Sequence, residues 1–546
     1  MIVPAQTKSI GAGGDAAPPA GARPARNLRP TIHALGGIAL LAYLTMTALS
    51  YLQAPALWNG AHLPRTTAFF EGLAGQLRAS LPVASAWLVE SRPLVDHASV
   101  IVSYWAPLAI ASAACLGLIA MLLRHGERAD DAAVGLIFKW SLAFAAAAAP
   151  AFPVFTQDFW LSAAWGRMIA AGVNPYYSHF TPESLAGLPL DHFPMSMSYG
   201  PLWGILSAAV MALAGGSVLA AAILFKLVLA TAWIGALQLV RMITAGANLR
   251  ERCLALAVFG WAPVGVSQSL AEGHNDVVMM VLALLWLHLL LARRGTAPIA
   301  LAASVLTKYV SAPLFLVDLI YALRYEQAGV RRYALRLVVP TLLGVAAIAL
   351  FYRTSQFLDG VLLIRTWYFL RPQEAVNAIE LLLGISLFPM PLAATAVFPA
   401  LAIYQVWTAW TVPNPDNLLK SAIALMAATL FAAVSHVWPW YLVWVVAFAA
   451  LLPSWWLSRL VFGVAIVAPF TLASWWVAPF AHHREVAALA MYLFGILWVL
   501  LTQPQPAAAA PIAASRHAPP LPARPGPARP GPARPELGND GISSHG

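Results

Sequence analysis

The sequence predicts an all-α fold, a polytopic transmembrane bundle of about 12–14 membrane helices with an amphipathic juxtamembrane helix in an outer loop. Three observations predict it. Of the 546 residues, 60% are hydrophobic and 10% charged, against about 25% charged in a soluble domain. The apolar residues fall in long runs, and a helix that crosses the hydrocarbon core needs about 20 of them. The basic residues sit between those runs and in the two tails, as Lys and Arg do beside membrane spans. The net charge of +10 is therefore a topology signal and not a nucleic-acid surface.

Residues 1–30 carry Lys8, Arg23, Arg26 and Arg29 among Gly, Ala and Pro. They hold no apolar core, so they read as a disordered basic tail without a cleavable signal peptide. Residues 31–130 read as a first pair of spans with an outer loop, and 131–502 as the main transmembrane core. The Pro-Ala-Arg repeats of 503–546 cannot bury a core and read as a second disordered tail. Candidate spans lie at about 31–53, 99–123, 133–151, 200–214, 217–240, 252–268, 277–292, 298–323, 333–352, 392–411, 418–434, 437–452, 455–478 and 487–502. Cys115 and Cys253 both lie inside apolar runs, which rules out a disulfide framework.

Alternating the basic loops to one side places the N-terminus, the Arg124–Arg128 region, residues 241–252 and the C-terminus inside. Two runs must then fail to cross. Residues 200–214 are short and end in Gly215-Gly216, so they form a partial helix. Residues 298–323 have Arg293 and Arg294 on one flank and Arg324, Arg331, Arg332 and Arg336 on the other. A broken hairpin with Lys308 and Pro313 near its bend keeps both flanks inside. With these corrections 152–199, 269–276, 353–391, 435–439 and 479–486 share the outer side.

Those segments hold most of the unusual polar residues. In 155–177, Leu161, Trp165, Met168 and Ile169 share one helical face, and Gly172 with Asn174-Pro175 ends the helix. Asp158 at its start is either a helix cap or a carboxylate with chemistry to do. Glu272-Gly273-His274-Asn275-Asp276 joins two spans, as a capped turn or as a polar site. It lacks a second His or Cys at ligand spacing, which argues against a metal. Lys308 interrupts an apolar run; it either snorkels to the interface or serves a site. His436, Trp438, Pro439, Trp440 and Tyr441 open a span, as an aromatic belt or as a binding surface. Arg365 and Arg371 flank an outer-loop segment where guanidinium groups could grip a phosphate.

Taken in order, a span, an outer-loop Asp158 on a juxtamembrane helix, Gly172-x-Asn174-Pro175-Tyr176 and Tyr199-Gly200-Pro201 opening the next helix resemble the GT-C superfold of membrane glycosyltransferases. Gly273-His274-Asn275-Asp276, Thr307-Lys308-Tyr309 and Trp438-Pro439-Trp440-Tyr441 stand where such enzymes have comparable motifs. The chain most resembles the bacterial polyprenol-phosphate-mannose-dependent alpha-mannosyltransferases, over roughly residues 133–500.

The resemblance implies a catalytic core over 131–502 in a bacterial inner membrane, working on the periplasmic side. It implies transfer of a hexose, mannose foremost, from a polyprenyl-phosphate donor to a glycan or glycolipid acceptor, with inversion. Asp158 is the implied base. Tyr199, His274, Asn275, Asp276, Lys308, Arg365, Arg371, His436, Trp440 and Tyr441 are the implied donor or acceptor contacts. No cofactor, metal or nucleic-acid partner is implied, and membrane lipid surrounds the chain. Many members of the superfold pair acidic residues in the first outer loop, whereas Phe159 follows Asp158 here, which fits a single-carboxylate mechanism. The competing classes are a transporter or lipid flippase, for which inverted repeats are expected, and a non-catalytic scaffold. One outward cavity containing Asp158, His274 and Asp276 would favour the enzyme, and a cavity reaching both faces would favour transport.

Overall fold

The computed structural model describes residues 28–57, 98–188, 190, 196–364, 369–472 and 484–503. Residues 1–27 and 504–546, the loop after the first span and Arg365 lie outside the described residues. The described chain is all-helical, with one isolated bridge between Phe369 and His436. Eight helices are long and apolar enough to cross a membrane, or 9 if the bent pair Leu249–Gly260 and Pro263–Ala271 counts as one span. Five shorter apolar helices make up the difference from the expected 12–14: Pro201–Leu213, Asp276–Leu291, Ala297–Thr307, Pro439–Ala449 and Trp456–Leu472. All but the last begin or end at a break close to the polar site described below, so composition alone reads as spans what the backbone interrupts.

Polar contacts sort the chain turns into two ends. At one end Arg29 pairs with Asp130, and Arg252 meets Asp131 at 2.9 Å. The Arg250 guanidinium donates to the Leu123 carbonyl at 2.8 Å, and Ser454 Oγ donates to Glu251 at 2.5 Å. The segments that the charge pattern assigns to one side are thus gathered at one end, the basic end. At the opposite end Ser50 Oγ accepts from Phe152 N at 2.9 Å, and Gly200 N donates to the Thr307 carbonyl at 3.0 Å. Val437 N donates to the Phe369 carbonyl there at 2.7 Å.

Helix Asp276–Leu291 leaves that second end, and helix Ala297–Thr307 returns to it. The backbone then opens at Lys308 (φ −155°, ψ 123°), and Leu314–Ile320 runs back. Trp286 Nε1 donates to Asp318 at 2.8 Å, and Arg293 lies beside Tyr321. Arg293 and Tyr321 therefore share the basic end, and residues 298–323 form the broken hairpin that the charges require. Helix Pro201–Leu213 has 13 residues, about 20 Å, too short to cross; it packs along Asp158–Ala170.

One expectation is corrected. Helix Asp158–Ala170 is not an amphipathic helix lying on a surface, because Phe159 to Gly166 and Met168 are all buried. A helix that is apolar all round belongs in an interior. Its Arg167, the one strongly polar side chain after Asp158, turns back to the carbonyls of Ser184 and Ala186.

Candidate active site

The polar site forms where four chain breaks meet at the second end: the start of helix Asp158–Ala170, the loop 197–200, the turn 272–276 and the hairpin apex at Lys308. Segment 436–444 covers them. Each break has a local cause. Gly273 takes φ +79°, and a Cβ there would stand 2.5 Å from the Phe159 ring, so only glycine lets the turn close against that helix. A Cβ on Gly200 would stand 2.1 Å from the Leu306 carbonyl, so glycine is also what allows helix 201–213 to start against the hairpin apex.

Asp158 does not cap its helix. Gln157 holds the cap position without a side-chain bond, and Asp158 N donates to Thr156 Oγ1 at 3.1 Å. The Asp158 carboxylate instead accepts from Tyr199 OH at 3.0 Å and lies 3.4 Å from His274 Nδ1, a charge contact outside hydrogen-bond geometry. Its side chain is 28% exposed, while those of His274 and Asp276 are 1% exposed. Burial pushes the Asp158 carboxyl up, but His274, Lys308 and the Tyr199 hydroxyl together outweigh it and hold the group below the usual carboxylate range.

The turn 272–276 is not a capping turn either. Asn275 sits at the cap position with no side-chain cap bond. Asp276 Oδ1 meets Lys308 Nζ at 2.7 Å and accepts from Trp444 Nε1. Lys308 does not snorkel: its ammonium lies 4.4, 5.0 and 5.2 Å from the ring centres of Tyr441, Trp444 and Tyr199, a cation held by three aromatic faces. His274 stacks on Trp440 at 3.9 Å, and Trp440 on Trp438 at 4.7 Å. His436 Nε2 is 3.3 Å from Tyr441 OH.

The structure thus gathers Asp158, Tyr199, His274, Asn275, Asp276, Lys308, Trp440 and Tyr441, with His436 behind Tyr441. Arg371 is placed otherwise: it starts helix Pro372–Leu383 and donates to the Ala432 carbonyl at 3.2 Å. The motif Asn174-Pro175-Tyr176 supports the site from outside. Asn174 donates to the Phe351 carbonyl, and Tyr176 OH to the Tyr199 carbonyl at 2.7 Å.

Several buried polar atoms of the cluster have no hydrogen-bond partner among the described residues: both ring nitrogens of His274, both amide atoms of Asn275, Asp276 Oδ2 and Trp440 Nε1. Leaving such groups unmet is costly, so a cluster of them is a surface shaped for a polar ligand. No group of three His, Cys, Asp or Glu able to hold a metal ion occurs among the described residues.

Two residues that matter, Trp444 and Lys226, were not singled out from the sequence, and Glu272 was named only as part of its turn. Glu272 accepts from Tyr104 OH at 2.8 Å and from the backbone of Val154 and Phe155 at 3.0 and 2.9 Å. It fastens the first outer loop to the site turn; burial raises its carboxyl above the ordinary value, against the pull of the Phe155 N–H. Trp444 lies one helical turn after Trp440, a spacing that could have flagged it. Lys226 carries the one strong signal, a charge within an apolar run.

Residues 69–323 match the family model described as alpha-(1->6)-mannopyranosyltransferase, N-terminal domain. The match supports a mannosyltransferase of this type, and so an enzyme of the glycosyltransferase class. It covers Asp158, Tyr199, the turn 273–276 and Lys308, and it begins ahead of residue 133, where the motif resemblance starts. No curated protein and no solved structure matches the chain.

Proposed function

We propose that the chain transfers mannose from a polyprenyl-phosphate donor to a glycan or glycolipid acceptor on the outer face of a bacterial inner membrane, with inversion. One observation carries the reading. Asp158 is a carboxylate freed from any capping duty, partly open to solvent, and set beside a buried cluster of unmet polar atoms.

The acceptor hydroxyl gives its proton to Asp158 as its oxygen attacks the anomeric carbon. The bond from that carbon to the donor phosphate oxygen breaks on the opposite face, and the lipid phosphate leaves with the bonding pair. Such a base contributes roughly a hundred- to ten-thousand-fold in rate. The leaving phosphate gains charge and is met by donors of the cluster, Asn275 and the imidazole of His274, with the Lys308 ammonium in the same field. The stacked Trp438, Trp440 and His274 offer an aromatic face of the kind on which a sugar ring rests.

The chemical test supplies membranes containing the protein with polyprenyl-phosphate mannose and follows release of polyprenyl phosphate and the anomeric configuration of the product. Retention of configuration, or no turnover with a lipid-linked donor, would overturn this mechanism. The location test places a cysteine at exposed Glu183. Cys115 and Cys253 are both buried, so background labelling is low. Labelling of intact cells by an impermeant thiol reagent is expected, and labelling only after lysis would reverse the orientation.

A further inference from the structure

A second feature lies on the flank of the bundle, outside the cluster of catalytic candidates. The end of the first span, the turn 149–153, the start of helix 158–170 and helix Val218–Ile243 enclose a cavity of about 310 Å³. That volume is in the range of small-ligand sites. Its walls are apolar, including Pro150, Phe152, Phe159 and Trp160, with Lys226 the single charged residue. Ile223 and Leu227 line it while 52% and 57% exposed on the outside of the bundle, so the groove meets the surrounding hydrocarbon.

Lys226 Nζ donates to the carbonyls of Leu270 and Ala271 at 2.5 and 2.7 Å. It forms no ion pair among the described residues, and Glu272 nearby is engaged by Tyr104 and two backbone amides. An ammonium with two carbonyl bonds keeps a third hydrogen to donate. Trp160 adds a buried indole N–H that has no partner among the described residues. The groove therefore offers two donors, positive charge and no carboxylate. These bonds set Lys226 level with Leu270 and Ala271, the residues directly before the site turn.

We propose that this groove binds one anionic phospholipid of the bilayer, its phosphate on Lys226 and part of an acyl chain along Phe152, Phe159 and Trp160. Basic pockets between spans recognise anionic headgroups in this way. The occupant is a resident lipid and not a reactant. Because Leu270 and Ala271 lead into Glu272-Gly273-His274, the lipid braces the turn that carries His274.

The full-length protein, purified in detergent, is incubated with phosphatidylglycerol or phosphatidylcholine of matched chains, and retained lipids are counted by native mass spectrometry. Wild type is expected to retain phosphatidylglycerol about fivefold better than phosphatidylcholine at one site, as one interfacial cation contributes. Lys226→Met should hold one phosphatidylglycerol fewer, and Lys226→Arg should keep it. Ala222→Phe fills the groove while keeping the lysine and should also lose that lipid; it stands in if Lys226→Met does not elute as a folded species. Equal retention of the two lipids by wild type, or unchanged retention by both Lys226→Met and Ala222→Phe, would overturn the proposal. So would displacement of the bound lipid by equimolar polyprenyl phosphate, which would assign the groove to the donor.

Discussion

The two ends of the bundle use polar residues in opposite ways. At the basic end they serve structure. Asp130 and Asn248 accept from the backbone as helix caps, Arg250 closes on carbonyls, and Arg252 meets Asp131 near solvent. At the site the cap positions go unused: Gln157 and Asn275 make no side-chain cap bond, and Asp158 and Asp276, the first residues of their helices, turn to a hydroxyl and an ammonium. Polar side chains inside a membrane are costly, so a region that leaves several unmet is one whose stability has been yielded to a ligand. The difference separates residues that hold the fold from residues that wait on a substrate, and it can be tested one end at a time.

The largest effect is expected at Asp158. Asp158→Asn keeps the shape and the contact to Tyr199, and should cut transfer by roughly a hundred- to ten-thousand-fold with an unchanged melting temperature. Normal turnover in membranes with the correct donor and acceptor would remove this residue from the mechanism. Next comes Lys308→Met, which strands a buried Asp276. Breaking one partner of a buried pair costs about 3–5 kcal/mol, so thermal unfolding in detergent should shift strongly; Lys308→Met combined with Asp276→Asn should recover part of it.

A third, smaller effect concerns pH. His274 helps hold the Asp158 carboxyl below its ordinary range, so the base stays ionised into mild acid. His274→Ala removes that support, the carboxyl then protonates at higher pH, and the acid limb of the pH–rate profile should move upward. A downward move would contradict the pairing. The smallest effect belongs to the basic end. Arg252→Ala opens a pair whose Asp131 is 80% exposed and should change stability by about 0–1 kcal/mol, with activity untouched. A large loss of activity there would break the contrast between the ends.

Much of this was legible in the sequence because charge and hydropathy report depth. Basic clusters at Arg293 and Arg331 demanded a hairpin between them, and the backbone does turn at Lys308. Asp158, His274, Asp276 and Lys308 stood out because charge at membrane depth is rare. Other features were hidden for physical reasons. The four-residue stripe of Leu161, Trp165, Met168 and Ile169 looked one-sided, yet Ala163, Ala164 and Gly166 on the other face are small enough for neighbouring helices to close over them. Arg371 carries the charge that a phosphate site would need, but its fork is turned to a carbonyl across the chain, a long-range contact with no local signature. The bond from Trp444 to Asp276 spans 168 residues, and no periodicity encodes such a meeting.

The Lys308–Asp276 pair also bears on how the chain is made. The two residues are 32 positions apart, so the aspartate leaves the ribosome first, at the head of a helix whose one other polar residue is His288. A lone charge at the centre of an inserting segment costs about 2.5–3.5 kcal/mol in the translocation machinery. Asp276 and Lys308 stand at helix ends, where the penalty is smaller, and each relieves the other's once both have emerged. Helices 276–291 and 297–307 are therefore expected to enter the bilayer together, with Asp276 and Lys308 as one neutral pair and synthesis of residue 308 as the step that completes it.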